Sequence, residues 1–317
     1  MISRSEVQSA AQRIRPHCHI TPIMTSASID QLAGCRVYFK CDHLQKAGAF
    51  KSRGAVNAVF SCSQEEIRYG VCTHSSGNHG AALARAARLR QVPAFIVVPQ
   101  AANPLKMEAI EQYGGQLVIC DNSLEARSSK LEEIRLQTRA REIPPYDDPL
   151  VIAGQGTAAL ELIDQVADLD SILVPVGGGG LLAGAVLAAN STIKVYGAEP
   201  DQADDAHRSF HTGTRVLSHQ PNTLCDGLLT TLGELNFEII SAGAENILLV
   251  SEAQIVESME FIWRYLKQLV EPSSAVVLAA IIAHRDLFTD QKIGVVLTGG
   301  NVDYRNLPFT ALPLVSN

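Results

Sequence analysis

The chain has 317 residues, 46% hydrophobic and 19% charged, and a formal net charge of −7. This is an ordinary globular composition with enough apolar residues for a large core and two lobes, which excludes fibrous and disordered classes. The acidic balance argues against bulk binding to nucleic acid or a membrane surface, but leaves room for an anionic substrate held by a local arginine. The N-terminal segment lacks the apolar core of a signal peptide, and no apolar stretch is long enough to span a bilayer. Seven cysteines without CxxC spacing point to reduced thiols and a cytoplasmic location.

In chain order, residues 37–40 read as a strand, and residues 46–55 approach the start of a helix. Residues 81–90, rich in Ala and Arg, have strong helix propensity. A strand is expected at 94–98, and Pro104 opens a helix with Leu105, Ala109, Ile110 and Tyr113 on one face. After a strand at 116–120, the Pro-rich stretch 142–149 reads as a linker between a middle block and the C-terminal half. Strands at 171–176, 193–197, 247–250 and 293–297 follow. Ser251-Glu-Ala-Gln254 predicts a capping box opening a helix that ends near Leu269, and 273–284 a largely apolar helix. Such alternation predicts an α/β fold with mostly parallel, buried sheets flanked by helices.

Four consecutive glycines, Gly177, Gly178, Gly179 and Gly180, separate the strand at 171–176 from an apolar helix at 181–189. Backbone N–H groups of such a turn converge with the helix N-terminus and make an anion site suited to phosphate. A P-loop requires Lys-Ser/Thr directly after the glycines, where this chain has Leu181-Leu182. A dinucleotide fingerprint is weakened by the bulk of Leu182 but keeps a correctly spaced acid in Glu199. Two further segments carry chemistry. In Gly48-Ala-Phe-Lys51-Ser-Arg-Gly54 a lysine stands beside an aromatic; losing water would lower its pKa and make it a usable nucleophile. In Thr73-His-Ser-Ser-Gly-Asn-His-Gly80, polar groups crowd a strand end and helix start, an arrangement suited to a carboxylate or a ring hydroxyl.

Five motifs in order, Gly48-Ala-Phe-Lys51, Ser75-Ser-Gly-Asn-His79, Ile152-Ala-Gly-Gln-Gly-Thr157, Val176-Gly-Gly-Gly-Gly180 and Leu297-Thr-Gly-Gly-Asn-Val-Asp303, resemble those of fold-type II pyridoxal-phosphate enzymes. The similarity is to the serine racemase and threonine/serine dehydratase group and covers nearly the whole chain. It implies a two-domain, tryptophan synthase β-like fold: a large cofactor-binding domain of residues 1–69 and 148–317 and a small mobile domain of 70–147. By the resemblance, Lys51 forms the Schiff base with pyridoxal 5′-phosphate and takes the α-proton. Phe50 packs on the ring, Asn78 meets its hydroxyl, Gly177 to Gly180 hold the phosphate and Thr298 faces the pyridine nitrogen. A neutral hydroxyl at Thr298 implies a weaker electron sink, suited to β-elimination rather than transamination. Ser75, Ser76 and His79 match the loop that grips the substrate carboxylate.

Three details lean toward racemases within this group. Ser76 stands where threonine-specialised dehydratases have Ala, and matches a serine that acts as second acid/base opposite the lysine, as two-base racemisation requires. Arg127 matches an arginine over the racemase pocket and could hold a second carboxylate, which makes 3-hydroxyaspartate a candidate substrate beside serine and threonine. Glu199, Ala203 and Asp205 resemble a divalent-cation site, with two carboxylates and a carbonyl suited to Mg2+, Ca2+ or Mn2+. The implied activity is dehydration of a hydroxy amino acid to a 2-oxo acid and ammonia, with racemisation from the same Cα-deprotonated state. The alternatives are a β-replacement synthase, whose loop usually has Thr at the His79 position, and a non-catalytic phosphate-ligand binder. The resemblance also implies a homodimer. Its motifs end at Asp303, so no C-terminal regulatory domain is expected.

Overall fold

Two parallel sheets, each wrapped by helices, organise the chain. The computed structural model describes residues 2–75, 77–102, 104–303, 305, 307 and 308. The larger sheet has the order β1 (Ile23–Met24), β2 (Arg36–Lys40), β10 (Lys292–Val296), β7 (Ser171–Pro175), β8 (Lys194–Pro200), β9 (Asn246–Val250). Only β1 runs antiparallel in it. The smaller sheet is all parallel, in the order β5 (Gln116–Cys120), β4 (Ala94–Pro99), β3 (Val71–His74), β6 (Arg141–Glu142). Its four strands fall within 71–142, between two segments that build the larger sheet.

Twelve α-helices lie among the described residues: α1 (Arg4–Ile14), α2 (Ala27–Ala33), α3 (Lys51–Ser61), α4 (Asn78–Leu89), α5 (Pro104–Gln112), α6 (Leu124–Thr138), α7 (Pro149–Gln165), α8 (Gly180–Ala189), α9 (Asp205–Thr212), α10 (Glu234–Gly243), α11 (Glu252–Phe261) and α12 (Pro272–Ala283). Apolar helices form the interior. In α12 residues 273–281 are all buried, as expected of a helix hydrophobic on every face. Each fully buried Val, Leu or Ile there contributes about 1.5–3 kcal/mol. Helix α7 crosses α3 and α8 at points where only glycine fits. A Cβ on Gly154 would meet the Gly54 Cα at 2.6 Å, and one on Gly156 the Gly184 carbonyl at 2.6 Å. The motif at 152–157 is thereby a packing seam.

Some boundaries differ from expectation. The capping box at Ser251 is present, but α11 ends at Phe261 and continues as one π-helical turn, Ile262–Leu266, stopped by Lys267 at φ +60°. Helix α4 begins at Asn78, inside the polar segment that precedes 81–90. The stretch 142–149 joins the small-sheet block to α7, as expected of a linker, and is held in place as a strap. Asp147 accepts from the Glu234 and Asn236 amides at 2.9 and 3.2 Å, and Asp148 caps α7.

A buried ion cluster anchors α3 from below. The fully buried Arg53 donates to both oxygens of Asp42, at 2.6 and 2.8 Å, and of Glu161, at 2.7 and 2.9 Å. Lys40 reaches Glu161 at 2.7 Å, and the Thr21 hydroxyl donates to Asp42 at 2.7 Å. Burial opposes charge on Asp42, but Arg53 outweighs it and holds the carboxyl below its usual range. Such a cluster stands because every member is paired. It fixes the first turn of α3, where Lys51 lies. All seven cysteines are free, and no described helix is long and apolar enough to cross a membrane.

Candidate active site

The C-terminal ends of β10 and β7 and the start of α3 converge on one point. Parallel sheets place their ligand sites at that edge, where loops rise from the strands. A groove of about 850 Å³, lined by Asp30, Arg36, Asp168, Arg285 and Lys292, lies at the opposite edge, at the strand starts, and is not a candidate.

Lys51 opens α3. Its partly buried ammonium donates to the Pro145 carbonyl at 2.7 Å and lies 5.1 Å from the Phe50 ring centroid. Burial pushes its pKa down to about 8, against the opposing pull of Glu271, so roughly a tenth is neutral amine at neutral pH, far more than for an ordinary lysine. The segment before α3 is pinned to the end of the large sheet. The Phe50 amide donates to the Thr298 carbonyl at 2.9 Å, and that of Gly300 to Gly48 at 3.0 Å. Thr298 is buried, its hydroxyl 3.0 Å from that of Ser274 on α12.

The glycine run connects β7 to α8. Gly179 has φ +91°, a left-handed conformation strained for any side chain. A Cβ on Gly178 would fall inside the Tyr146 ring, and one on Gly177 would meet the Gly227 carbonyl at 3.0 Å. The Gly178 carbonyl is turned away from the helix mouth, accepting from the Asn236 side chain at 2.7 Å and the Gly233 amide at 3.1 Å. The N–H groups that open α8 therefore face a cradle that side chains would fill. The strap at 145–147 joins the two halves, since Pro145 takes Lys51 while Tyr146 lies on Gly178.

The polar segment after β3 supplies the opposite wall. Ser75 Oγ accepts weakly from the Gly77 and Gly80 amides, at 3.4 and 3.2 Å. The Asn78 amide nitrogen donates to both oxygens of Glu271, at 2.9 and 3.1 Å, and its oxygen accepts from Asn301 at 2.9 Å. His79 is buried, and its Nε2 donates to the Ile143 carbonyl at 3.0 Å. Burial pushes its pKa down to about 3, so Nδ1 carries a lone pair and cannot donate to an anion. What this loop offers a carboxylate is thus backbone N–H at the start of α4, with Ser75. Ser76 lies outside the described residues.

Arg127 sits in the first turn of α6. It donates to the Asn122 carbonyl at 3.4 Å, and its Nε is buried with no partner among the described residues. Burial and, less so, the Arg127 charge hold His74 at the end of β3 below its usual range. Elsewhere, Glu199 near the end of β8 meets the start of α9, where Asp205 lies, and Ala203 ends the short turn Asp201–Ala203 between them. Glu199 accepts from the His207 amide at 2.5 Å, and Asp205 lies 2.8 Å from His219 Nδ1. Burial, with their mutual repulsion, drives Glu199 well above the usual carboxylate range, and burial raises Asp205 to about 6. Carboxylates of this kind are the hard oxygen donors a divalent cation takes, but here their oxygens meet the Ala206, His207 and Leu232 amides and His219. Among the described residues no cluster of three or more His, Cys, Asp or Glu side chains has metal-binding geometry; the third donor here would be the Ala203 carbonyl.

Sequence reasoning missed four participants. Tyr146 and Asn236 shape the glycine loop, Asn301 and Glu271 hold Asn78. Asn301 stood inside a quoted motif without a role. Glu271 stands before Pro272 and so resembles an ordinary helix start, but it is only 3% exposed.

The geometry brings together a lysine with depressed pKa, an aromatic beside it and a glycine turn that side chains would fill, joined by a carbonyl strap. The profile of the pyridoxal-phosphate dependent enzyme family matches residues 14–299, and the chain belongs to that family. It is 45% identical over 314 residues to a serine racemase of Dictyostelium discoideum, covering 96% of this chain and 97% of that one. It is 42% identical over 307 residues to a beta-hydroxyaspartate dehydratase of Paracoccus denitrificans, covering 96% and 98%. Among solved structures, maize serine racemase superposes with a TM-score of 0.94 at 40% identity, covering 96% and 95%. A threonine deaminase from T.th. gives 0.91 at 38%, covering 95% and 99%. The enzyme is thus a fold-type II member with parallel sheets flanked by helices.

Proposed function

We propose that the protein dehydrates a hydroxy amino acid, serine, threonine or 3-hydroxyaspartate, to a 2-oxo acid and ammonia, and that it also racemises serine. The carrying observation is Lys51, a half-buried amine with a pKa near 8 set against the glycine cradle. The relatives named serine racemase, beta-hydroxyaspartate dehydratase and threonine deaminase support this range of substrates. When bound, pyridoxal phosphate supplies an electron sink that acidifies the substrate Cα–H and lets a β-hydroxyl depart.

Lys51 would hold the cofactor, and its neutral amine would then accept the Cα proton from one face. The Gly177 to Gly180 amides would bind the phosphate, Phe50 would cover the ring, and Thr298 would meet the pyridine nitrogen as a neutral hydroxyl. Asn78 would donate to the ring hydroxyl. Ser75 and the amides around Asn78 and His79 would hold the substrate carboxylate, while Arg127 would receive a second carboxylate when the substrate carries one. Residues 70–147 would move as the small lobe, and the assembly would be a homodimer in the cytoplasm, in keeping with seven free cysteines.

Ser76 is proposed as the acid on the face opposite Lys51. Ser76→Ala should reduce D-serine formation from L-serine by about a hundredfold or more while the protein still binds cofactor. Equal loss of both products would instead indicate a role in carboxylate binding, and unchanged D-serine formation would remove Ser76 from the mechanism. Glu199, Asp205 and the Ala203 carbonyl are proposed to bind Mg2+ as a structural or activating ion. Saturating Mg2+ should raise the Tm of wild type by roughly 5 °C, and Glu199→Gln should abolish that increment. An equal increment in both proteins would contradict the site.

A further inference from the structure

The buried carboxylate of Glu271 holds Asn78, yet the proposed reaction makes no use of its charge. It stands at the start of α12 with its side chain turned inward, against Gly299, where a Cβ would collide with Oε1. Its backbone amide donates to the Gly299 carbonyl at 3.0 Å, so the residue is tied to the Thr298–Asn301 segment. Both carboxylate oxygens accept from the one Asn78 nitrogen. The Asn78 oxygen is taken by Asn301 Nδ2, which also donates to the Ala47 carbonyl at 2.9 Å. An asparagine amide is nearly symmetric in shape and can flip. Here the Asn301 nitrogen, committed as a donor by the Ala47 carbonyl, takes the Asn78 oxygen, and the ionised carboxylate of Glu271 accepts on the other side, which leaves the Asn78 nitrogen toward Glu271.

The charged groups that face Glu271 come from three further elements. Lys51 lies at the start of α3, Lys106 on α5, and Asp226 in the short turn Asp226–Leu228 that pairs with Lys106. Lys106 also approaches Gly77, with its Nζ 3.8 Å from where a Cβ would stand. Glu271 packs on Gly299, which pairs with Ala49 two residues before Lys51, so its carboxylate lies beside the backbone that carries the lysine.

We propose that Glu271 is a positioning residue of the cofactor site: it locks the Asn78 amide in the orientation that presents N–H to the cofactor ring, and it is the counter-charge of Lys51. The inference rests on the cofactor reading above. Burial pushes Glu271 up to about 7, so its charge is present only from neutral pH upward. Above that pH the carboxylate attracts the Lys51 proton and keeps the lysine from falling further below its ordinary range. Neutralising it therefore moves the lysine's titration toward acid.

The test uses the apo protein and pyridoxal phosphate itself. The rate of cofactor capture, followed by visible absorbance, reports the neutral amine fraction as pH is varied, and equilibrium titration gives the affinity. For Glu271→Gln we expect a capture midpoint shifted acid by roughly one unit and an affinity about tenfold weaker. Asn78→Ala should weaken affinity by a similar factor. An unmoved midpoint in Glu271→Gln overturns the proposal even if affinity falls, because a merely structural lesion gives that result. Failure of wild type to take up pyridoxal phosphate would instead overturn the cofactor reading. Should Glu271→Gln not fold, difference infrared spectroscopy on wild type decides the matter. A protonated-carboxyl band titrating near pH 7 and shifted in Asn78→Ala supports the proposal, and its absence overturns it.

Discussion

Lys51→Ala is expected to bind pyridoxal phosphate without the visible absorbance of a lysine adduct and to lose at least about a thousandfold in kcat for both products. Two losses combine in this variant. The covalent anchor goes, and so does the amine placed to accept the Cα proton. The geometry makes the loss specific: Lys51 is held by Pro145 over the Phe50 ring at the first turn of a helix whose base is clamped by Arg53, Asp42 and Glu161. An alanine there leaves the clamp untouched, so the far-ultraviolet spectrum and Tm should stay close to wild type. Retention of even a tenth of wild-type activity would show that another base serves the reaction. Lys51→Arg should not rescue, since a guanidinium stays protonated and does not form the adduct.

Gly178→Ala should weaken cofactor affinity by about ten- to hundredfold, the equivalent of about 1–3 kcal/mol of overpacking. The added methyl would enter the Tyr146 ring. Tyr146 belongs to the strap whose Pro145 holds Lys51 and whose Asp147 holds the start of α10, so the displacement reaches both the phosphate cradle and the lysine. A double-mutant cycle isolates this cause. Tyr146→Ala removes the obstruction, and Gly178→Ala made in that background should cost much less than in wild type. Additive losses would mean that the methyl acts on the phosphate directly and that the strap is a bystander. Free cofactor titration with absorbance detection reads all four proteins.

The fold was legible where chemistry and periodicity agreed. The β-branched runs at 171–176 and 293–297 are central strands with neighbours on both sides, and the Ser251 capping box closes as its spacing implies. Residues 71–74 gave a weaker signal because Val-Cys-Thr-His is short and merges into the polar loop. The stretch 142–149 does divide the block 71–142 from the C-terminal half, but its role as a strap was not legible, for a physical reason. Proline-rich composition announces irregular backbone but says nothing of what that backbone binds, and here Asp147 and Tyr146 dock on a distant helix and loop. In the candidate site, Lys51 and the glycines stood out because the chemistry that the resemblance implies requires those residue types in that order. Glu271 and Asn236 were invisible because a carboxylate or amide beside an apolar helix has many ordinary uses. Their contacts span 193 and 58 residues of chain, a separation that local pattern cannot encode. The His79 side chain, expected near the substrate, meets the Ile143 carbonyl, a contact that no local pattern announced.

The central claim is that one site deprotonates Cα of a hydroxy amino acid and then partitions between loss of the β-hydroxyl and return of a proton. Its most direct test is to incubate the pyridoxal-phosphate-loaded protein with L-serine, L-threonine and L-threo-3-hydroxyaspartate in turn and to measure 2-oxo acid and enantiomer in the same samples. The account predicts 2-oxo acid and ammonia in equal amounts from at least one substrate, D-serine from L-serine, and neither product without cofactor. Cofactor-loaded protein that yields no 2-oxo acid from any of the three, or yields it only when a thiol co-substrate is added, would contradict it.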